Sequence, residues 1–191
     1  FVFQELQQVL PSLPDQHSNK EGNYYGRITQ PVVNFLLAKL ALNAEIYMYD
    51  DWTQGYANRP KGSDIHFSVP ASDASLRNGD KVDCRKLNAW ETCIYYCDKL
   101  AEEGYVLESD DSFNFSTHNE TSKENIFTIP MDKNIYTNQF HYLFRSYHYT
   151  HGGVLGWGSE NGTCATISTM KANHYGEVDQ DARCKMNFVA G

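Results

Sequence analysis

The chain has no cluster of Lys and Arg, and that absence removes one class of partner. It carries 16 Lys+Arg against 24 Asp+Glu, a formal net charge of −8. Nucleic-acid affinity rests on basic groups that displace phosphate counterions, so nucleic acid is not expected, a strongly anionic polymer is disfavoured, and a neutral partner fits best. Cysteine is also sparse. The five stand at 84, 93, 97, 164 and 184, an odd number without a Cys-x-x-Cys pair, which argues against a disulfide scaffold, a zinc site or a thioredoxin-like centre. Cys93 and Cys97, four apart on an expected helix, read as buried small apolar residues. There is no Gly-x-Ser-x-Gly and no EF-hand spacing, and no cofactor or metal is expected. His141, His148 and His151 fall in no zinc pattern. No stretch has the composition of a signal peptide, a lipobox or a transmembrane helix. Phe1-Val2-Phe3 reads as entry into an element already under way, so the expectation is an interior piece of a longer protein.

What is present is a chain of 191 residues rich in rings. Thirteen Tyr, ten Phe and three Trp make up 14%, and many crowd between Phe140 and Trp157. A domain of this length buries roughly 70% of the surface its unfolded chain exposes, enough for one core.

Periodicity divides the chain coarsely. Residues 1–49 read as a helix pair. In the first helix Phe3, Leu6, Leu10 and Leu13 share a face, and Pro11 and Pro14 end it. A polar loop follows from Asp15 to Tyr25. The second helix runs from about Gln30 to Tyr49, with Thr29 as N-cap, Pro31 in the first turn and a stripe of Val33, Leu36, Leu37, Leu40, Ala44 and Tyr47. Residues 50–82 read as a long loop excursion punctuated by Gly and Pro. A helix over 83–104 is expected next, capped by Asp83, with Leu87, Trp90, Ile94, Cys97 and Ala101 as its core stripe and Gly104 as its left-handed stop. Residues 105–191 are loop-rich, with at most a short strand at 126–129 and a short helix near 165–172. The fold class is mainly α, a helical-repeat scaffold of tetratricopeptide-like type with long irregular loops and a few short strands.

Several runs stand in a telling order. They are Gly26-Arg27-Ile28-Thr29, Leu36-Leu37-Ala38-Lys39, Asn88-Ala89-Trp90-Glu91, Tyr95-Tyr96-Cys97-Asp98-Lys99-Leu100, Gly104-Tyr105-Val106-Leu107 and Glu124-Asn125-Ile126-Phe127. After them come Gly152-Gly153, Gly156-Trp157, Asn161-Gly162, Asp181-Ala182-Arg183 and Asn187-Phe188. No single piece is specific, but the ordered set, from Leu6 to Phe188, resembles the SusD/RagB family. The resemblance implies a tetratricopeptide-like core and a surface lipoprotein of the bacterial outer membrane. Such a protein captures oligosaccharides, or in some members peptides, for a SusC-like TonB-dependent transporter. It implies no catalysis, and membrane attachment only through a lipidated N-terminus that this chain does not contain.

A sugar ring offers apolar C–H faces and an equator of hydroxyls, so its site needs an aromatic platform and polar edges. Aromatic contacts are worth about 0.5–1.5 kcal/mol beyond area burial. A neutral hydrogen bond adds about 1 kcal/mol. The Gly-rich segment from Arg145 to Asn161 supplies both, with Tyr147, Tyr149 and Trp157 as platform residues and Arg145, His151, Glu160 and Asn161 as edges. Asp50, Asp51, Trp52, Tyr56 and Asn58 form a second, weaker grouping, better read as a solvated helix exit. Arg27 and Arg183 read as structural, with Asp181 a partner for one of them. Glu177, Asp179 and Asp181 read as a solvated acidic turn. The sequons at Asn114, Asn119 and Asn161 read as polar loops.

Two other function classes remain open. A glycoside hydrolase would need a carboxylate pair about 5–5.5 or 6.5–9.5 Å apart. Asp51, Asp111, Glu160 and Asp179 can be nominated, but nothing singles out a pair. A helical-repeat scaffold for a protein partner would need a continuous apolar groove.

Overall fold

The computed structural model describes residues 1–20, 22–51, 53, 55–71, 84–131, 134 and 165–184. The chain divides into two compact units, Phe1–Ile129 and Pro130–Gly191. The described residues are mainly helical, with one two-stranded sheet. None of the described helices is long and apolar enough to cross a membrane.

In the first unit, helix α1 (Val2–Val9) tightens into a 3-10 turn, Leu10–Ser12, where Pro11 enters. Proline lacks the N–H needed to continue an α-helix but tolerates a first turn. Phe3 anchors α1. Its ring lies 4.3 Å from Phe67 and meets Tyr96 edge-on at 5.9 Å.

Helix α2 spans Gln30–Leu42 and α3 spans Ala44–Tyr47, separated by Asn43. The single helix expected over 30–49 is therefore broken, and the Asn43 side chain turns back to the Lys39 carbonyl at 2.9 Å, a local bond that competes with helix continuation. Thr29 holds the N-cap position, but its hydroxyl makes no cap bond. The entry is fixed instead by Gln30, whose backbone N–H donates to Pro14 O and whose side chain donates to Leu13 O. Val32, Val33, Leu37, Ala38, Ala41 and Ala44 are buried. Leu36 and Tyr47 of the expected stripe are exposed, because the sequence of α2 is apolar on more than one face.

Strand β1 (His66–Pro70) lies inside the stretch read as a loop excursion. It pairs antiparallel with β2 (Cys84–Asn88), with Phe67 opposite Leu87 and Pro70 opposite Cys84. Helix α4 therefore starts at Ala89 and runs to Glu102. Its cap is Asn88, not Asp83. Asn88 and Glu91 form a capping box, Asn88 Oδ1 accepting from Glu91 N and Glu91 Oε2 accepting from Asn88 N, both at 2.9 Å. Such a box satisfies two orphan donors at once. The helix ends as expected at Gly104, whose φ is +89°. Gly104 N–H donates to Ala101 O and Tyr105 N–H to Leu100 O, the paired bonds of a Schellman motif.

Helix α4 buries a different face from the one expected. Ala89, Thr92, Tyr96 and Leu100 are buried, whereas Trp90 is 41% and Ile94 60% exposed. Trp90 lies instead over Gly62, where an added Cβ would fall 2.4 Å from the indole. Cys97 is exposed and Cys93 half-buried, so the pair is not a buried apolar one. Burial and then the Cys97 thiol push the Cys93 thiol up to about 11. The core is built by α1, α2, β1 and α4 around Phe3, Leu10, Val33, Leu37, Val69 and Tyr96, and α2 packs most extensively on α4.

Beyond α4 the chain is held by polar side chains. Asn19 donates to Ser122 O, Ser122 Oγ to Asn114 Oδ1, and Asn114 to Glu124 Oε2, which also accepts Glu108 N–H. Asn114 is thus buried and is not the open polar loop residue expected. Residues 126–129 form no strand. In the second unit a short helix, α5 (Ile167–Ala172), occupies the expected place.

Candidate functional site

The first unit contains a cleft of about 280 Å³ where four elements meet. Gln7, Leu10 and Pro11 line it from α1 and its 3-10 turn, Asp15 from the following loop, Gln30 and Asn34 from α2, and Pro70 from β1. Tyr95, Tyr96, Lys99 and Glu103 complete it from α4 and its C-cap. The position of Glu103 follows from helix geometry. Thr92, Tyr96 and Leu100 form the buried stripe, and the next inward position after Leu100 is 103.

The walls are fixed by hydrogen bonds between distant parts of the chain. Gln7 Nε2 donates to Ser68 O at 2.8 Å and to the Tyr96 hydroxyl at 3.0 Å. Asn34 Nδ2 donates to Glu103 Oε1 at 3.0 Å. His17 Nε2 lies 2.8 Å from the Glu103 carbonyl oxygen, and its ring stacks on Tyr105 at 4.3 Å. The other carboxyl oxygen, Glu103 Oε2, is buried with no partner among the described residues.

Electrostatics make Glu103 the unusual group. Burial pushes its carboxyl up to about 7, and the charges of Glu102 and Asp15 push the same way, while Asn34 and Lys99 oppose them. Lys99 is paired with Glu102 at 3.0 Å and lies 5.8 Å from the Tyr95 ring centre. Burial likewise lifts Tyr96 to about 12. The cleft thus combines a carboxyl poised near neutrality, a second carboxylate, amides and phenol rings. It can accept hydrogen bonds from a small polar ligand, and Glu103 can take up or release a proton near neutral pH.

Sequence reasoning missed this site. Neither Glu102 nor Glu103 was singled out within the helix expected over 83–104. The available signal was the stripe Thr92, Tyr96, Leu100, which points to 103, but nothing in sequence brings Asn34 or Gln7 to it.

All seven residues nominated from sequence, Arg145, Tyr147, Tyr149, His151, Trp157, Glu160 and Asn161, lie outside the described residues, as do Trp52, His141 and His148. Of the weaker grouping, Asp51 accepts from Thr53 N, and Tyr56 is 72% exposed with Arg59 over its ring. In the second unit, Arg183 binds Asp181 through two nitrogens at 3.0 and 2.7 Å and holds that carboxyl down at about 2. This is the structural role expected of Arg183. Asp181 therefore leaves the acidic group, and His174 joins Glu177 and Asp179 in it. His174 Nδ1 stands 2.7 Å from Asp179 Oδ2 and 3.9 Å from Glu177 Oε2, all three residues being exposed. The hydrolase nominees Asp51, Asp111 and Asp179 do not line the cleft.

Comparison with family models, with curated proteins and with solved structures finds no match for this chain.

Proposed function

We propose that the chain belongs to a SusD-like surface protein that captures oligosaccharides for import through a TonB-dependent outer-membrane transporter. The observation that carries this reading is the ordered motif set from Leu6 to Phe188. Two of the motifs have clear mechanical jobs, which supports it further. Gly104-Tyr105 closes α4, and Glu124 ties down the loop after it. In this reading α2 and α4 are the inner helices of a tetratricopeptide-like scaffold. The glycan is held by Tyr147, Tyr149 and Trp157, with Arg145, His151, Glu160 and Asn161 on the sugar hydroxyls. The protein binds and does not hydrolyse.

Calorimetry with neutral oligosaccharides tests this. The expected result is binding with a Kd on the order of µM to mM, suited to capture and release, without release of reducing ends, and weakened by Trp157→Ala. Liberated reducing ends would place the chain among the glycoside hydrolases. A panel that fails to bind would overturn glycan capture, and the same panel run with peptides separates out the peptide-capturing alternative.

A further inference from the structure

The turn after α5 gathers an imidazole and two carboxylates at the surface of the second unit. His174, Glu177 and Asp179 are all exposed, and one ligand atom from each lies within 4.8 Å of the other two. His174 Nδ1 stands 2.7 Å from Asp179 Oδ2 and 3.9 Å from Glu177 Oε2. By sequence the two acids group with Asp181, but Arg183 holds Asp181, and the imidazole takes its place. Among the described residues, neither Glu177 nor Asp179 pairs with a Lys or Arg; His174 is their charged neighbour. We propose that this trio binds a divalent first-row transition ion, zinc being the simplest case, with solvent in its remaining coordination positions.

The spacing fits such an ion. Three atoms separated in this way can share one cation at about 2.0–2.4 Å from each, close to zinc–nitrogen and zinc–oxygen bond lengths of about 2.0–2.2 Å. The backbone that presents them is already fixed. Asp181 N–H donates to Asn173 O at 3.1 Å and closes the turn, Glu177 N–H donates to His174 O at 2.9 Å, and Gly176 N–H donates to the Gln180 side chain at 2.7 Å. The donor set selects the metal. Calcium and magnesium prefer shells made wholly of oxygen, whereas imidazole suits zinc and its first-row neighbours. A simple His174–Asp179 ion pair would account for the 2.7 Å contact, yet it would leave Glu177 unengaged beside it. A bound ion answers all three groups at once and ties position 174 to positions 177 and 179, so it stabilises the turn by mass action. This inference does not rest on the glycan-capture reading, none of whose residues takes part.

The test is a calorimetric titration of the metal-stripped 191-residue chain with zinc chloride, repeated in an excess of calcium or magnesium. One zinc site is expected that the two hard cations do not displace and that raises the melting temperature of the chain. His174→Asn removes the imidazole, and asparagine tolerates the left-handed backbone at this position, φ +52°. Asp179→Asn removes one carboxylate from an exposed side chain. Each variant is expected to weaken the site at least about ten-fold, with an unchanged melting curve in the absence of zinc. Asp111→Asn removes the same charge from the first unit and is expected to leave zinc affinity as it was. Failure of zinc to bind, displacement by calcium or magnesium, wild-type affinity in both trio variants, or an equal loss in Asp111→Asn each overturns the proposal.

Discussion

At the scale of single residues, Glu103 and Gly104 sit side by side and illustrate opposite constraints. Glu103 is a titratable group taken partly out of water. Its folded pKa is raised from 4.5 to about 7, so the native state holds the proton more tightly than the unfolded chain. The linked stability is full below about 4.5 and is lost as pH rises through about 7. Urea unfolding across that range is expected to show this decline in the wild type and its absence in Glu103→Gln. Gly104 is constrained by backbone alone. Its φ of +89° is a conformation that side chains rarely adopt, and the space around it is empty. Gly104→Ala should therefore cost about 1–2 kcal/mol, the left-handed penalty, with no steric addition, measured as a lower urea midpoint at unchanged slope. The Gly104 stop was legible because it depends on neighbours in sequence. Glu103 was not, because its burial depends on Asn34, sixty-nine positions away.

At the scale of elements, α4 shows what periodicity can and cannot decide. Two apolar stripes are written on the helix. One runs through Trp90, Ile94 and Cys97, the other through Ala89, Tyr96 and Leu100, and both satisfy three-and-four spacing. The sequence favours the first because Trp is large. The structure buries the second, because Tyr96 meets Phe3 and Gln7 on α1, and Trp90 finds its surface on Gly62 at the rim. A direct test compares two substitutions. Ile94→Ser lies on the exposed face and should change stability by no more than about 0.5 kcal/mol. Leu100→Ala, on the buried face of α4, should cost about 2–5 kcal/mol. Denaturant melts of both variants settle which face is core, and a large loss in Ile94→Ser would reverse the assignment. The same dependence on distant partners explains β1 and β2. The β1 run, with its Pro70, reads as loop and the β2 run reads as the start of the following helix until the two pair with each other.

At the scale of the whole molecule, the acidic balance and the two units govern what the protein can meet. A net charge of −8 repels anionic polymers but is indifferent to a neutral glycan. Oligosaccharide affinity is therefore expected to stay constant as ionic strength rises. Titrations at low and high salt check this, and a salt-sensitive neutral glycan would contradict the platform mechanism. Glu103 lies in the first unit and the segment from Arg145 to Asn161 in the second.

The sequence by itself determined the mainly helical class, the places of α1, α2 and α5, the stop at Gly104 and the Arg183–Asp181 pairing. Each of these follows from chain-local rules, helical period, proline and glycine geometry, or charges two residues apart. The tertiary structure alone decided the pairing of β1 with β2, the buried face of α4 and the cleft around Glu103. Each depends on groups far apart in sequence, and only folding brings them close enough for burial and hydrogen bonding to select among the alternatives the sequence allows.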